Sequence, residues 1–472
     1  MNSKEQYVAA IDIGTTKIVA IVGKKNENGK IEILSLSKAL SKGVKRGVVL
    51  NIEETVSAIQ TTVEDVQKRS GIMFSEVFVG IAGQHIKSMK NRGYITRDNY
   101  EDEIRKEEVF RLIEDMHKIH IDIGEEIIHV IPQKFIVDNE TGVKSPIGMC
   151  GRRLEANFHI VIGQVAAAKN IEKCIRKTNL EVKDMILEPL ASSDAVLTDD
   201  EKEAGVVLVD IGGGTTDVAV FYDNIIRHTA VIPLGGNVVT KDIKEGCAIL
   251  QRHAEQLKLQ YGSALGDIAP EDKVVSIPGI SGREPKEISF KSLAYIIQSR
   301  MEEIIDFVNF EIQNSGYADK LAAGVVITGG GAMLKHLPQL MKFKTAMDVR
   351  IGVPNEHLSG SSRNEISQPM YATAVGLIMK GFEYLETYHQ KFNAGAAGEF
   401  VQPKSTATVN QQVTERQQNK ARMNAEAETE TEVEAEIETI TEEPVSTSRM
   451  SIADKIKAMM RDMFEVEDQS IS

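Results

Sequence analysis

Residues 207–220 read VLVDIGGGTTDVAV, and residues 8–22 read VAAIDIGTTKIVAIV. Each has an apolar run of strand character, an aspartate, a glycine turn, paired threonines and a second apolar run. A protein that holds phosphate needs backbone N–H groups converging on it. Glycine lets the main chain approach closely and take positive φ, and threonine hydroxyls add donors. Two such turns facing one another would clamp a phosphate chain from both sides, one turn per lobe. Asp12, Asp210 and Asp217 cannot meet a triphosphate bare. They require a cation between, reached through water, and Mg2+ keeps several waters when bound.

The bulk composition sets limits around this pair. The chain has 472 residues, 42% of them hydrophobic, enough for two or more domains with cores of their own. Its formal net charge is -14, with a run of glutamates between Glu426 and Glu443. That balance argues against nucleic acid as a partner, which needs a basic footprint. Cys150, Cys174 and Cys247 are far apart and show no metal-ligand spacing, as expected of inert thiols in a reducing cytosol. No run of about 18 apolar residues suggests a transmembrane helix, and the first residues lack a signal peptide's apolar segment. The expected location is the cytoplasm, on a membrane surface if something holds it there.

Along the chain the texture is α/β. Strands are predicted over 7–23 and 31–40, a helix over 52–69, where Ile52, Val56, Ile59, Val63 and Val66 recur at helical spacing, and a strand over 76–83. From 84 to 165 the pattern changes to a polar loop, a helix near 106–117 and two strand-like runs, 130–138 and 156–163, read as an inserted subdomain. A strand at 185–189, mostly helical sequence over 237–262 and one long helix over 287–314 follow. A third glycine turn ends AAGVVITGGGAML at 322–334, and a last core helix spans 376–388. Beyond about 391 the sequence turns polar and acidic, too poor in apolar residues to offset chain entropy, and is read as disordered.

AAIDIGTTK, VLVDIGGGTTD and VVITGGGA resemble the phosphate 1, phosphate 2 and adenosine motifs of the actin/heat-shock-chaperone/sugar-kinase superfamily. The resemblance implies ATP with Mg2+. The implied ligands are Asp12, Gly14, Thr15, Thr16 and Lys17 on one lobe, and Asp210, Gly212, Gly213, Gly214, Thr215, Thr216 and Asp217 on the other. Gly235, Gly236, Gly329, Gly330 and Gly331 complete the set. AEQLK at 254–258 resembles the Glu-x-x-Lys with which superfamily members hold ribose and base, making Glu255 and Lys258 candidates. An exposed helical charge pair would look the same.

The likeness narrows further. SKGVKRGVVLNIEET, VGIAGQHI, ILEPLASSDAVL, AVIPLGGNVVTKDI and ISQPMYATAVGL make residues 6–388 similar to the bacterial cell-division FtsA family nearly throughout. This implies an actin-like two-lobed α/β fold with an inserted 1C subdomain at 84–165. Subdomain 1A would take 1–83 and 166–205, 2A would take 206–240 and 316–390, and 2B would take 241–315. A disordered acidic linker over 391–448 and a membrane-targeting amphipathic helix over 449–467 would follow. It further implies a protein that polymerises, binds the C-terminal tail of FtsZ and tethers it to the inner face of the cytoplasmic membrane at the septum, with later division proteins docking on 1C. Asn237, Arg283 and Arg300 are the implied FtsZ-tail residues, arginine being suited to paired hydrogen bonds with carboxylates. No dedicated catalytic residue is implied. Glu188 and Asp217 are the candidates to sit near an attacking water if ATP is hydrolysed.

The final stretch, SIADKIKAMMRDMFEVE, supports the last expectation on its own. At about 100° per residue Ile452, Ile456, Met459, Met460, Met463 and Phe464 share one broad face, with Lys455 and Lys457 at its flanks. That is the pattern of a helix lying in a membrane interface. A docking helix for a protein partner has the same stripe. A small-molecule kinase of the superfamily is the alternative overall reading, but no second-substrate motif is present. A pilus-assembly ATP-binding scaffold shares the core motifs without the terminal helix.

Overall fold

The computed structural model describes residues 6–26, 29–279, 284–354, 358–359, 366–388 and 390–396. Arg283 and the predicted helix over 449–467 lie outside the described residues.

The two quoted stretches are hairpins, and each starts an equivalent sheet. In the first lobe Tyr7–Ile13 pairs antiparallel with Lys17–Lys25 and parallel with Glu76–Ile81. In the second, Val206–Ile211 pairs antiparallel with Thr216–Tyr222 and parallel with Gly324–Thr328. Ile31–Leu40 and Ile225–Ile232 extend the two meanders. Glu181–Leu187 and Val349–Ile351 extend the parallel sides, and Leu358–Ser359 adds an edge to the first sheet. One arrangement is thus built twice.

The strands read as unbroken apolar runs because both faces of the first sheet are covered. Val8, Ala10, Val19 and Ile21 face one core, which includes the helix Ala372–Thr387. Ala9, Ile11, Ile18 and Ala20 face the other, with Ile52–Ser70 and Val165–Lys177. The helix Ile52–Ser70 is closed at both ends by local chemistry. Asn51 accepts from the Glu54 N–H, and Gly71 takes φ 71°.

Between the sheets run two seam helices, Glu188–Val196 and Ala372–Thr387. They touch backbone to backbone: a Cβ on Gly376 would stand 1.8 Å from the Ala191 carbonyl oxygen. Asp194 on the first and Lys380 on the second form an ion pair of 2.8 Å.

The inserted region is a four-stranded antiparallel sheet, in the order Glu140–Val143, Glu125–Val137, Arg153–Gln164, Lys87–Thr96, with the helix Lys106–Met116. The polar loop expected from residue 84 is largely the edge strand Lys87–Thr96. It reads as polar because Lys87, Lys90, Arg92 and Tyr94 face solvent, while only Gly93 and Ile95 are buried. This sheet touches both lobes. His129 accepts from the Leu187 N–H of the first lobe (3.0 Å). On the second lobe, Ser88 donates to the Thr229 carbonyl (2.9 Å), His159 Nε2 meets the Thr229 hydroxyl (2.9 Å), and Asp223 pairs with Lys134 (2.6 Å) and Lys144 (3.0 Å).

Three sequence expectations shift. The long helix starts at Phe290, not 287, because Lys286–Ser289 pairs with Val274–Ile277 and Ser289 caps the helix. The helical stretch 237–262 is two helices, Gly236–Gly246 and Gln251–Tyr261, parted near Ala248 at φ 45°. Residues 391–396 are part of the folded body: Ala394–Ala396 pairs with Ile72–Phe74, and Phe392 stacks on Phe78 at 5.8 Å. The predicted linker boundary at 391 is corrected accordingly. No helix among the described residues is long and apolar enough to cross a membrane.

Candidate nucleotide site

The two glycine turns meet. A Cβ on Gly213 would stand 1.7 Å from Thr16 Oγ1, and one on Gly214 would stand 2.5 Å from Thr15 Oγ1. The second turn can lie against the first only because it carries no side chains there. Thr15 is held from behind by the Gly47 N–H, which donates to its hydroxyl at 3.0 Å. Gly14 is confined by its own turn, a Cβ there falling 2.8 Å from the Lys17 carbonyl. Lys17 reaches from its strand to donate to the Met370 carbonyl (2.7 Å).

The second turn is fixed to the next loop. The Gly212 and Gly213 carbonyls accept from the Gly236 (3.0 Å) and Asn237 (2.8 Å) N–H groups, and a Cβ on Gly235 would stand 2.7 Å from the Gly212 carbonyl. Thr216, predicted among the phosphate donors, is fully buried and donates to the Leu234 carbonyl (2.9 Å). Its hydroxyl shapes that loop and does not face the cleft. Thr215 donates towards Asp217 at 3.4 Å. Glu255 and Lys258 do converge on the glycine loop. Lys258 donates to the Gly236 carbonyl and to Thr240 Oγ1, both at 2.8 Å, and pairs with Glu255 at 2.8 Å, while Thr240 also donates to Glu255. The third turn closes the ring: Gly329 at φ 81° donates to the Pro369 carbonyl (3.2 Å), Gly331 presses on Ile211, and Gly330 faces open space.

The carboxylates gather where the hairpins meet. Asp12, Asp210 and Asp217 are buried at the mouths of their turns, and Asp210 stands opposite Asp217 in the hairpin register. Burial pushes Asp12 up to about 6, opposed by Lys17 and reinforced by the Asp210 charge. Asp217 is raised well above the ordinary carboxylate range by burial, then by the charges of Asp210 and Asp12. Glu188, at the start of the first seam helix, is also raised by burial and by the charges of Asp12, Asp217 and Asp210. A cluster so destabilised in its ionised form fits a cation. Asp217 Oδ1 is buried with no hydrogen-bond partner among the described residues, the kind of orphan acceptor a hydrated Mg2+ would satisfy.

Of the predicted peptide-binding residues, the structure describes Asn237 and Arg300. Arg300 is engaged by Asp242, Nε at 2.5 Å and Nη2 at 3.1 Å, and also pairs with Glu303. Its fork is therefore filled from within. Asn237 lies five residues before Asp242 on the same helix, about 140° round from it, and its N–H is spent on the phosphate turn. Arg283 is outside the described residues. Sequence reasoning missed Ser192 and Thr373, whose hydroxyls reach Asp210. A polar side chain inside ASSDAV or YATAVGL is a faint signal, since any buried hydroxyl needs a partner.

The fold and this site can be set beside known proteins. The family model "Cell division protein FtsA" matches residues 207–376, and the model "SHS2 domain inserted in FTSA" matches residues 83–162, the region of the inserted sheet. The cell division protein FtsA of Pseudomonas aeruginosa is 41% identical over 379 residues, 80% of this chain and 90% of that protein. Its namesake in Neisseria meningitidis is 38% identical over 380 residues, covering 80% and 91%. In Escherichia coli K12 the figures are 35% over 385 residues, 80% and 91%. The solved PilM-PilN type IV pilus biogenesis complex shares the fold, with a TM-score of 0.57 at 13% identity over 79% of this chain and 98% of that one. The architecture is the expected actin-like two-lobed α/β fold with an inserted domain. By the extent and identity of these matches, the chain belongs to the FtsA family of cell division proteins.

Proposed function

We propose that this protein is an ATP-binding assembly protein of cell division that polymerises and tethers FtsZ to the inner face of the cytoplasmic membrane at the septum. The carrying observation is the meeting of the two glycine turns over buried carboxylates, with Asp217 Oδ1 lacking any partner. Backbone amides of Gly14, Gly213 and Gly214, with the Thr15 and Thr16 side chains, would line the phosphate slot, while the Gly212 N–H closes its own turn on the Thr215 carbonyl (2.9 Å). Lys17 places a cation beside Asp12. Glu255 and Lys258 stand by the glycine loop, where a ribose would lie. When bound, Mg2+ supplies the positive charge that lets carboxylates and phosphates share the slot. Asp12 and Asp217 would face it through water.

The role is structural first. Glu188 and Asp217 could orient a water for slow hydrolysis. Membrane attachment rests on the apolar face of Ile452, Ile456, Met459, Met460, Met463 and Phe464, read from the sequence. One such helix binds weakly, and a filament of subunits supplies avidity. The FtsZ tail is acidic in this reading. It would compete with Asp242 and Glu303 for Arg300, and Asn237 and Arg283 remain with it as candidates. Later division proteins are expected on the inserted domain.

The test is liposome co-sedimentation of FtsZ with the intact chain and with a chain cut after Ser448, with and without ATP. FtsZ should pellet only with the intact chain, and more with ATP. Pelleting of this protein without FtsZ refutes the partner, and a protein that stays soluble refutes the membrane helix.

A further inference from the structure

Asp210 is held by two hydroxyls from elsewhere in the chain. Its Oδ2 accepts from Ser192 Oγ at 2.7 Å and from Thr373 Oγ1 at 3.3 Å, and the two hydroxyls are 3.0 Å apart. All three residues are buried, Ser192 completely. Its other oxygen leaves no room at the third glycine turn, where a Cβ on Gly329 would come within 2.3 Å of it. Among the described residues, Asp217 has one side-chain hydroxyl donor, Thr215 at 3.4 Å.

The origin of the two donors matters more than their number. Ser192 belongs to the helix Glu188–Val196 and Thr373 to the helix Ala372–Thr387, the two seam helices. The second of these packs on the first lobe's sheet, Gly381 lying against Val8 and Phe78. Asp210 belongs to the second lobe, two residues before the Gly212–Gly214 turn. This triangle is therefore a charged hydrogen-bonded tie between the first lobe's seam and the turn that must press on Thr15 and Thr16.

We propose that Ser192 and Thr373 are positioning residues: by fixing Asp210 they set the approach of the second phosphate turn to the first, and hence the preference for a nucleotide long enough to span both. The proposal rests on the nucleotide reading above. A hydrogen bond to a carboxylate is stronger than one between neutral groups. Losing one donor leaves a buried charge less compensated and lets the turn drift. The longer triphosphate suffers more than the diphosphate, because it alone bridges both turns.

The experiment uses the full chain with Ser192→Ala, Thr373→Val and Thr373→Ser. Affinities for fluorescent ATP and ADP analogues with Mg2+ are measured beside the melting temperature of the nucleotide-free protein. Ser192→Ala and Thr373→Val should each weaken ATP binding about tenfold while ADP binding changes about twofold, and Thr373→Ser, which keeps the hydroxyl, should return the ratio to that of the parent. A structural role alone would lower the melting temperature and leave the ATP-to-ADP ratio untouched, which overturns the proposal. So does a ratio that Thr373→Ser fails to restore. If the parent binds neither analogue, the nucleotide reading falls and this proposal falls with it; if the parent binds and the variants match it, only this proposal falls.

Discussion

The first and second hairpins share one grammar and divide the labour. The first turn, Gly14-Thr15-Thr16, presents side chains: two threonines reach across, and Lys17 beside them crosses to the Met370 carbonyl. The second, Gly212-Gly213-Gly214, presents bare backbone, into which those threonines fit. Its own threonines are turned inward, Thr216 to Leu234 and Thr215 towards Asp217. The aspartates diverge as well. Asp12 is opposed by a lysine, Asp210 is tied to hydroxyls from the seam, and Asp217 keeps an unpaired oxygen. Repetition of a motif doubled the backbone, and the side chains then took opposite parts.

The most damaging way to break that division is to give the bare turn a side chain. Gly213→Val should lower ATP affinity by about a hundredfold or more, since even its Cβ overlaps Thr16. Titration with a fluorescent ATP analogue checks this, and the same measurement on Thr16→Gly in the Gly213→Val background should recover part of the loss. Unchanged binding in Gly213→Val would show that the turns need not touch.

Next comes Lys17→Met, which removes the cation that opposes the upward push on Asp12. ATP affinity should fall by about ten- to thirtyfold. An equal loss for ADP and ATP would place Lys17 nearer the inner phosphates than the outer one.

The pH response separates the acids from the glycines. Asp12 has a folded pKa of about 6 against an ordinary 3.8, so between those values the native state binds more protons than the unfolded one. Its ionisation costs stability. The nucleotide-free protein should gain stability from this group as pH falls from 7 through 6, while Mg2+ should stabilise more at pH 7.5 than at pH 5. Calorimetry with and without Mg2+ reads both, and a Mg2+ effect independent of pH would remove the buried acids from the cation site.

The smallest effect lies at the far end of the second meander. Asp223→Asn, which suits the left-handed backbone there (φ 59°), removes its charge pairs with Lys134 and Lys144 on the inserted sheet. These are partly exposed pairs, so about 0.5–1 kcal/mol is expected, a drop of about 1 °C in the melting temperature of a body this large. A larger drop would mean that the inserted sheet braces the second lobe more than its surface pairs suggest.

Local signals carried much of this into the sequence. The paired hairpins, the third glycine turn and the helix Ile52–Ser70 were legible because strand runs, glycine turns and helical spacing are short-range features. Lys87–Thr96 was not, because an edge strand with one solvated face loses its apolar signature. The tie of Ser192 and Thr373 to Asp210 joins residues 18 and 163 positions apart, and no periodicity announces it. The case of Arg300 is subtler. Arg300, a candidate for a partner's carboxylates by resemblance, also pairs within the chain with Asp242, because two helices apart in sequence pack together.

The short strand Ala394–Ala396 bears on mechanics. It lies beside Ile72–Phe74, with Phe392 stacked on Phe78 and Asn393 hydrogen-bonded to Ser75 (2.8 Å). A pull applied beyond Ala396 would therefore meet the flank of the first lobe first, at a stacked ring and a clipped strand.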